Sequence, residues 1–307
     1  MKAIGHWVDG RPAAGTSGRT GPVFDPARGV QTGEVALASG AEVDAVVKVA
    51  AAASTEWGRS PTSQRAGMMF RLRELIDSHR GDLAAVVTSE HGKVLEDARG
   101  EVARGLECVE FACAVPHLLK GAHSTEVSRG VDVHTILEPL GVAVGVTPFN
   151  FPVMVPLWML ANALACGNAF VLKPSEKDPS AALALAELVQ QAGFPDGVFN
   201  VVQGDAEAVD ALLAHPDVDA VSFVGSTVVA RHIYETSTAA GKRVQALGGA
   251  KNHICLLYTS DAADEGDGVH RRMGEKSVHR LGVALHHVQD AVRKTGLPGQ
   301  VGQDERR

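Results

Sequence analysis

The chain has few cysteines, and their placement excludes both a disulfide framework and a zinc site of the usual kind. No two of them form a CxxC pair, and they stand at positions Cys108, Cys113, Cys166 and Cys255. We therefore predict a reducing, cytoplasmic setting without a resident metal. The N-terminal residues also lack an apolar stretch of signal-peptide type, so we expect no export.

A surplus of positive charge is absent too. The chain carries 29 basic and 36 acidic residues, a formal net charge of −7 at pH 7, which argues against nucleic acid or an anionic membrane surface as a partner. The stretch between Glu138 and Lys173 has no charged residue and is long enough to cross a bilayer. Glycines, prolines and asparagines interrupt it, so we predict a buried strand, a turn and a buried helix there, and no membrane partner.

Changes in composition divide the chain into four predicted segments. Residues 1–120 combine short strands and turns with Ala-rich helices, and residues 121–138 alternate polar and apolar side chains as an extended hairpin does. Residues 139–253 form the third segment, in which fully apolar strands alternate with helices. Residues 254–307 are poor in apolar side chains, and we interpret them as a tail that is disordered or artefactual.

The third segment predicts the fold class, an α/β protein with a parallel Rossmann-like sheet covered by helices on both faces. We expect the whole sheet within residues 141–249. Its predicted strands are the apolar runs GVAVGV, NAFVLKP, GVFNVVQG, AVSFVGS and RVQAL. The predicted helices of the chain are Glu42–Trp57, Ser63–Glu90, Leu95–Leu119, Pro152–Cys166, Asp178–Ala192, Ala206–Ala214 and Val228–Ala240.

The carboxyl ends of these strands are the predicted ligand site, because parallel sheets bind ligands at that edge, near the point where the strand order reverses. The residues concerned are Thr147–Asn150, Lys173–Lys177, Gly204–Asp205, Gly225–Thr227 and Leu247–Ala250. Neither GxGxxG after the first apolar strand nor GxxxxGK[ST] is present, so the two standard phosphate loops are excluded. The pattern alone predicts a nucleotide-sized crevice and leaves its ligand open.

Three strand-end features each have two interpretations. Asn150, at a rigid strand end, either donates its amide to a developing oxyanion or satisfies backbone groups of its own turn. Lys173 and Glu176 either bind sugar hydroxyls together or form an exposed ion pair. Ser226 precedes a helix and either binds phosphate or caps that helix. The residues by themselves leave each choice open.

Taken together, the sequence motifs at these strand ends resemble those of a known protein family. PFNFPVMVPLWMLANALACGNAFVLKPSEKDP, GFPDGVFNVVQGD, AVSFVGST and QALGGAKNH resemble the aldehyde dehydrogenase superfamily, in order, from about His6 to His253. PFNFP, EVARGLECVEFA and GGAKNH resemble its CoA-acylating, methylmalonate-semialdehyde dehydrogenase branch. The resemblance implies NAD as cofactor, CoA as co-substrate, and oxidation of methylmalonate or malonate semialdehyde to propionyl-CoA or acetyl-CoA. It also implies a homo-oligomer in which the 121–138 hairpin pairs with a partner strand, although no sequence matches that strand here.

The resemblance assigns cofactor contacts to residues at the strand ends. They are the nicotinamide-end contacts Thr147, Phe149 and Gly248, the ribose-binding pair Lys173 and Glu176 with Lys177 beside it, and the pyrophosphate-binding Ser226. Asn150 is the implied oxyanion donor. Arg104 is the implied ligand of a substrate carboxylate, with an ordinary helix-surface charge as the alternative.

Two features concern the chemical step itself. Hydrolytic members of the superfamily carry a general-base glutamate at the position of Ala246, so its absence favours release of the acyl group to the thiol of CoA. The superfamily's nucleophilic cysteine belongs to a second, catalytic domain, and no segment here matches it; Cys255 lies too close to GGAKNH. We therefore expect that domain to be missing and the chain to be inactive as it stands. The alternatives are a non-catalytic NAD-binding fragment and a hydrolytic aldehyde dehydrogenase.

Overall fold

The computed structural model describes residues 1–249. The strands of this part are β1 (Lys2–Ile4), β2 (His6–Val8), β3 (Arg11–Ala13), β4 (Thr20–Asp25), β5 (Val30–Ala36), β6 (His123–Ser128), β7 (Val131–His134), β8 (Val142–Val146), β9 (Ala169–Lys173), β10 (Phe199–Val201), β11 (Ala220–Val224) and β12 (Arg243–Leu247). Its helices are α1 (Gly40–Arg59), α2 (Thr62–Ser78), α3 (Arg80–His91), α4 (Leu95–Ala112), α5 (Val115–Leu118), α6 (Met154–Ala165), α7 (Ser180–Gln191), α8 (Ala206–Ala214) and α9 (Thr227–Ala239).

The main sheet of the described part has the strand order β12-β11-β8-β9-β10-β2-β3. Strands β12 to β10 in this order are parallel, whereas β2 is antiparallel to both β10 and β3. The predicted α/β class with a parallel Rossmann-like core is therefore confirmed. The expectation that residues 141–249 contain the whole sheet is wrong. The short strand β10 needs a partner at its outer edge, and the β2–β3 hairpin supplies one, with Trp7 buried against the core.

The strand order reverses beside β8. From β8 the chain passes through α6 to β9 and through α7 to β10, and α8 then returns it to β11 on the other side of β8. Such a reversal opens a crevice at the carboxyl ends of the two adjacent strands, here β8 and β11. The reversal of strand order therefore lies beside the strand ends that carry the predicted site residues.

Side chains of β9 alternate between the two faces of the sheet. Phe170 and Leu172 belong to the core that includes α6 and α7, and Ala169 and Val171 belong to the core that includes α1, α8 and α9. Burying a side chain such as Leu172 stabilises the fold by roughly 1.5–3 kcal/mol. Helices therefore cover both faces, as predicted.

Two of the predicted helices are broken in the structure. The segment Ser63–Glu90 forms α2 and α3, which are separated at His79 (φ −102°, ψ 17°), and Leu95–Leu119 forms α4 and the short α5. Buried Ile76 of α2 and Leu83 of α3 keep the helical spacing across the first break. Because the apolar period continues through it, the pattern of side chains does not reveal this break.

Residues 121–138 contain the predicted extended hairpin. Strands β6 and β7 are antiparallel, with His123 paired with His134 and Ser128 with Val131, and Gly130 between them has φ 71°. Every residue of both strands is exposed. The hairpin is therefore confirmed, whereas its use in oligomerisation and the division of the chain into domains remain predictions.

Candidate functional site

The parallel strands bring most of the predicted site residues to one edge of the sheet. Val146, the last residue of β8, pairs in register with Lys173, the last residue of β9. Val224, the last residue of β11, pairs in the same way with Leu247, the last residue of β12. Thr147, Ser226 and Gly248 follow these strand ends directly or within two residues. The structure thus places the β8, β9, β11 and β12 ends at one common edge.

The turn after β8 is joined to the loop after β9. The Thr147 N–H donates to the carbonyl oxygen of Lys173 at 3.1 Å, which extends the ladder by one residue. The next aromatic ring, Phe149, is 47% exposed and stacks on His91 with ring centroids 6.0 Å apart. The ammonium of Lys177 lies 4.7 Å from the centroid of the same ring. Phe149 therefore presents a cation–π surface between the two loops.

Asn150 is exposed at the mouth of this turn. Its carbonyl oxygen accepts a hydrogen bond from Nζ of Lys93 at 2.9 Å. Within residues 1–249 its side-chain amide forms no hydrogen bond, so the amide does not satisfy the backbone of its own turn in the described structure. An exposed amide without an internal partner remains able to donate to a ligand.

A buried acid missed by the sequence analysis holds the start of α6. Glu101 of α4 is fully buried, and its Oε1 accepts hydrogen bonds from the N–H groups of Val153 at 2.8 Å and Met154 at 3.2 Å. Its Oε2 lies 2.6 Å from Nζ of Lys93. Helix N-termini leave N–H groups without intrahelical partners, and Glu101 provides a charged cap from a distant helix. Glu101 begins the motif EVARGLECVEFA, and its position on the apolar face of the predicted helix could have indicated it, because a buried acid requires a partner.

The ribose-site candidates form an ion pair whose lysine is buried. Lys173 is 5% exposed, and its Nζ lies 3.4 Å from Oε2 of Glu176, whose side chain is partly exposed. Burial lowers the pKa of Lys173, an effect that Glu176 opposes. The interpretation as an exposed ion pair is therefore wrong for Lys173. One half-exposed carboxylate beside a buried ammonium presents an acceptor and a donor together.

Asp178, which sequence reasoning also missed, lies at the base of the same loop. It is almost fully buried, and burial together with the nearby Glu90 carboxylate raises its pKa to about 8. Glu90 itself accepts a hydrogen bond from the N–H of Ser180 at the start of α7. Asp178 is therefore protonated at neutral pH. No local sequence pattern predicts this, because Glu90 belongs to α3 and is distant in sequence.

At the β11 and β12 ends, the structure favours a capping role for Ser226 and a packing role for Gly248. The Ser226 hydroxyl accepts from the N–H of Val229 at 3.5 Å as the N-cap of α9. A methyl group added to Gly248 would lie 3.1 Å from Cα of Thr227, so a side chain at this position would be tightly packed against the start of α9. Other N–H groups of the α9 N-terminus remain available to an anion.

Arg104 lies in α4, away from the strand ends. Its guanidinium is 5.8 Å from the centroid of the Phe151 ring, and it lines a cavity of about 550 Å³. The other residues lining this cavity are Lys93, Glu96, Asp97, Gly100 and Phe151. Lys93 is engaged with Glu101, whereas Arg104 forms no salt bridge with any residue that the structure describes. Arg104 is therefore open to a carboxylate, and the ring that it contacts belongs to Phe151, the residue directly after Asn150.

The described thiols are unsuited to nucleophilic attack. Cys108 lies in α4, and Cys113 and Cys166 directly follow α4 and α6. Burial raises the pKa of each thiol, so the thiolate is disfavoured in all three. Cys255 and the predicted tail lie outside the described residues. At the position expected for a general base, Ala246 lies within β12.

Metal and membrane features were searched in residues 1–249. In that range no group of three or more His, Cys, Asp or Glu side chains is arranged to hold a metal ion. No helix there combines the length and the apolarity that a bilayer crossing requires.

Comparison with known proteins finds relatives that match most of this chain. The malonate-semialdehyde dehydrogenase of Pseudomonas aeruginosa is 48% identical over 261 residues, which are 85% of this chain and 52% of that protein. Malonate-semialdehyde dehydrogenase 2 of Geobacillus thermodenitrificans is 48% identical over 260 residues, 85% of this chain and 54% of that protein. The chain thus spans about half the length of the curated relatives it matches.

Solved structures share the fold at similar identity. A methylmalonate-semialdehyde dehydrogenase from Oceanimonas doudoroffii is 52% identical with a TM-score of 0.81, covering 82% of this chain and 52% of that chain. A Sinorhizobium meliloti structure complexed with NAD, described as a candidate methylmalonate-semialdehyde dehydrogenase, is 49% identical with a TM-score of 0.81 and the same two coverages. The model of the aldehyde dehydrogenase family matches residues 13–272. This chain therefore belongs to the aldehyde dehydrogenase family.

Proposed function

We propose that the chain is the NAD-binding part of a CoA-acylating dehydrogenase that oxidises malonate or methylmalonate semialdehyde. The observation that carries the proposal is the arrangement at one sheet edge of the Lys173–Glu176 pair and the Phe149–Asn150 turn, joined by the contact of Lys177 with Phe149. The names of the relatives, malonate- and methylmalonate-semialdehyde dehydrogenase, support the substrate class.

The residues at the edge fit a dinucleotide. Glu176 and Lys173 offer an acceptor and a donor, which suits the vicinal hydroxyls of the adenosine ribose. The N-terminus of α9 at Ser226 offers N–H groups and a positive dipole end to the pyrophosphate. The backbone of Thr147 and Phe149, with Gly248 opposite, would contact the nicotinamide end. When bound, NAD supplies the hydride acceptor of the reaction.

Two further residues fit the aldehyde substrate. The free amide of Asn150 would donate to the oxygen on which negative charge develops during attack on the aldehyde carbonyl. Arg104 would bind the carboxylate of the semialdehyde in the adjoining cavity, because a guanidinium matches that group with two parallel hydrogen bonds. The Arg104 role would favour an acidic semialdehyde over a neutral aldehyde, whereas the Asn150 role would serve both.

The acyl acceptor and the nucleophile are separate parts of the proposal. Ala246 provides no general base for water, which favours transfer of the acyl group to the thiol of CoA over hydrolysis. No described cysteine is suited to form the thioester, so we propose that the chain as given binds NAD without turnover. The exposed β6–β7 hairpin supports the further proposal of a homo-oligomer built through that hairpin.

Calorimetric titration of the purified full chain with NAD tests the proposal. We expect saturable binding that Glu176→Ala weakens about tenfold, because a ribose ligand is lost. Lys48→Met is the matched control, since it removes an exposed ion pair with Asp44 on α1. A parallel assay adds malonate semialdehyde and CoA and follows NADH absorbance, with no NADH expected. Absence of NAD binding, or NADH formation by this chain with or without CoA, would overturn the proposal.

A further inference from the structure

The turn that carries Asn150 is held almost entirely by residues outside the parallel sheet. His91 stacks on Phe149, and Nζ of Lys93 donates to the carbonyl of Asn150 at 2.9 Å. The same ammonium lies 4.4 Å from the centroid of the Phe151 ring. Successive residues of the turn are thus each contacted from the end of α3 or from the loop that leads to α4.

Glu101 of α4 completes this arrangement. One carboxylate oxygen binds the Lys93 ammonium at 2.6 Å, and the other accepts from the N–H groups of Val153 and Met154. The Lys93 side chain is mostly buried and that of Glu101 is fully buried, so the ion pair is shielded from solvent. Charge-assisted hydrogen bonds in such a setting are stronger and geometrically more restrictive than exposed ones.

We propose that Lys93 and Glu101 are positioning residues that hold the Phe149–Asn150 turn in the conformation that receives the nicotinamide end of NAD. Lys93 fixes the carbonyl of Asn150, and Glu101 fixes both Lys93 and the first N–H groups of α6. The backbone direction at Phe149 and Asn150 is therefore set from both sides. This inference rests on the proposed function, since it assigns a role to residues that act through the cofactor site.

Lys93 and Glu101 contact only the residues proposed for the nicotinamide end of the cofactor, among the site residues that the structure describes. Lys173 and Glu176, the proposed ribose ligands, follow β9 and have neither Lys93 nor Glu101 among their hydrogen-bond partners in residues 1–249. Loss of the pair is therefore expected to weaken binding of the whole dinucleotide and to leave binding of AMP, which lacks the nicotinamide half, unchanged. A merely structural role would lower both affinities together or neither.

The test compares Lys93→Met with the full chain and with Lys48→Met. Calorimetry with NAD and with AMP gives the two affinities, and hydrogen–deuterium exchange reports the amides of residues 149–154. We expect Lys93→Met to weaken NAD binding about tenfold, to leave AMP binding within about twofold, and to speed exchange in that turn. Lys93→Arg, which keeps the charge, should restore part of the NAD affinity. Glu101→Gln, which keeps an acceptor for the α6 N–H groups, should reproduce the loss with a smaller change in exchange.

The outcomes separate this inference from the proposed function. Equal losses of NAD and AMP affinity, or unchanged exchange in residues 149–154, would overturn the positioning role. Neither result would contradict the proposed cofactor site. Faster exchange with unchanged NAD affinity would also overturn it, because the turn would then not receive the cofactor. If the unsubstituted chain binds AMP but NAD no more tightly, the nicotinamide contact is refuted; if it binds neither, the proposed function fails and the inference fails with it.

Discussion

Arg65 of α2 donates through Nε to the carbonyl oxygen of Ala165, the last residue of α6, at 2.9 Å. A second guanidinium nitrogen donates to the carbonyl of Ser60 at 2.8 Å. Arg65 is buried, and its guanidinium serves as a charged cap at the C-terminus of α6. Because α6 connects β8 to β9, this cap joins α2 to the main sheet.

The first prediction follows from this cap. Arg65→Met should lower the free energy of unfolding by about 2–4 kcal/mol, because it leaves buried carbonyl groups without donors. Urea denaturation followed by circular dichroism measures the change. Arg99→Met, which removes an exposed pair with Glu96, is the control and should change stability by less than about 0.5 kcal/mol. Equal effects of the two substitutions would contradict the capping role of Arg65.

The capping box of α1, formed by Ser39 and Glu42, makes the free energy of unfolding depend on pH in the acidic range. Burial alone would raise the pKa of Glu42, but hydrogen bonds from the Ser39 and Thr16 backbone lower it to about 2. Because the folded pKa lies below the unfolded value, this stabilisation is complete above about pH 4.5 and is lost as the pH falls toward 2. Thermal unfolding at several pH values should show Glu42→Gln less stable above pH 4.5 and equal to the unsubstituted chain near pH 2. A gap independent of pH would contradict this account.

Asp178 makes stability depend on pH in the opposite sense. Its folded pKa of about 8 lies above the unfolded value of 3.8, so the unfolded state ionises first and stability falls as the pH rises from about 4 to 8. Asp178→Asn removes the carboxylate while keeping a similar shape. We expect the variant to gain melting temperature relative to the unsubstituted chain as the pH rises, by a few degrees at about pH 9. A difference that shrinks over this range would refute the assignment.

The fourth prediction separates the two interpretations of Asn150. Its side chain forms no hydrogen bond within residues 1–249, so Asn150→Ala should change the free energy of unfolding by less than about 0.5 kcal/mol. Urea denaturation measures it, and Ser226→Ala serves for comparison, since loss of an N-cap costs typically about 1 kcal/mol. A cost for Asn150→Ala as large as that of the cap would mean that the amide supports the turn.

Much of the candidate site was predictable because it follows strands that are themselves predictable. The run before Thr147 and the run that ends at Lys173 are fully apolar, and parallel strands align their carboxyl ends whatever connects them. The positions of Phe149, Ser226 and Gly248 follow from the same rule. Their cofactor roles come from the family resemblance and remain proposals.

The amino-acid sequence by itself determined the apolar strands, the helices between them and the order in which polar residues leave the sheet, because these depend on periodicity within short windows. Only the tertiary structure decided that Lys93 bridges Glu101 and the carbonyl of Asn150, that Glu90 of α3 acts on Asp178, and that the β2–β3 hairpin completes the sheet beside β10. Each of these depends on residues brought together from distant parts of the chain. Burial and pairing across such distances set pKa values and loop geometry, and no local pattern encodes them.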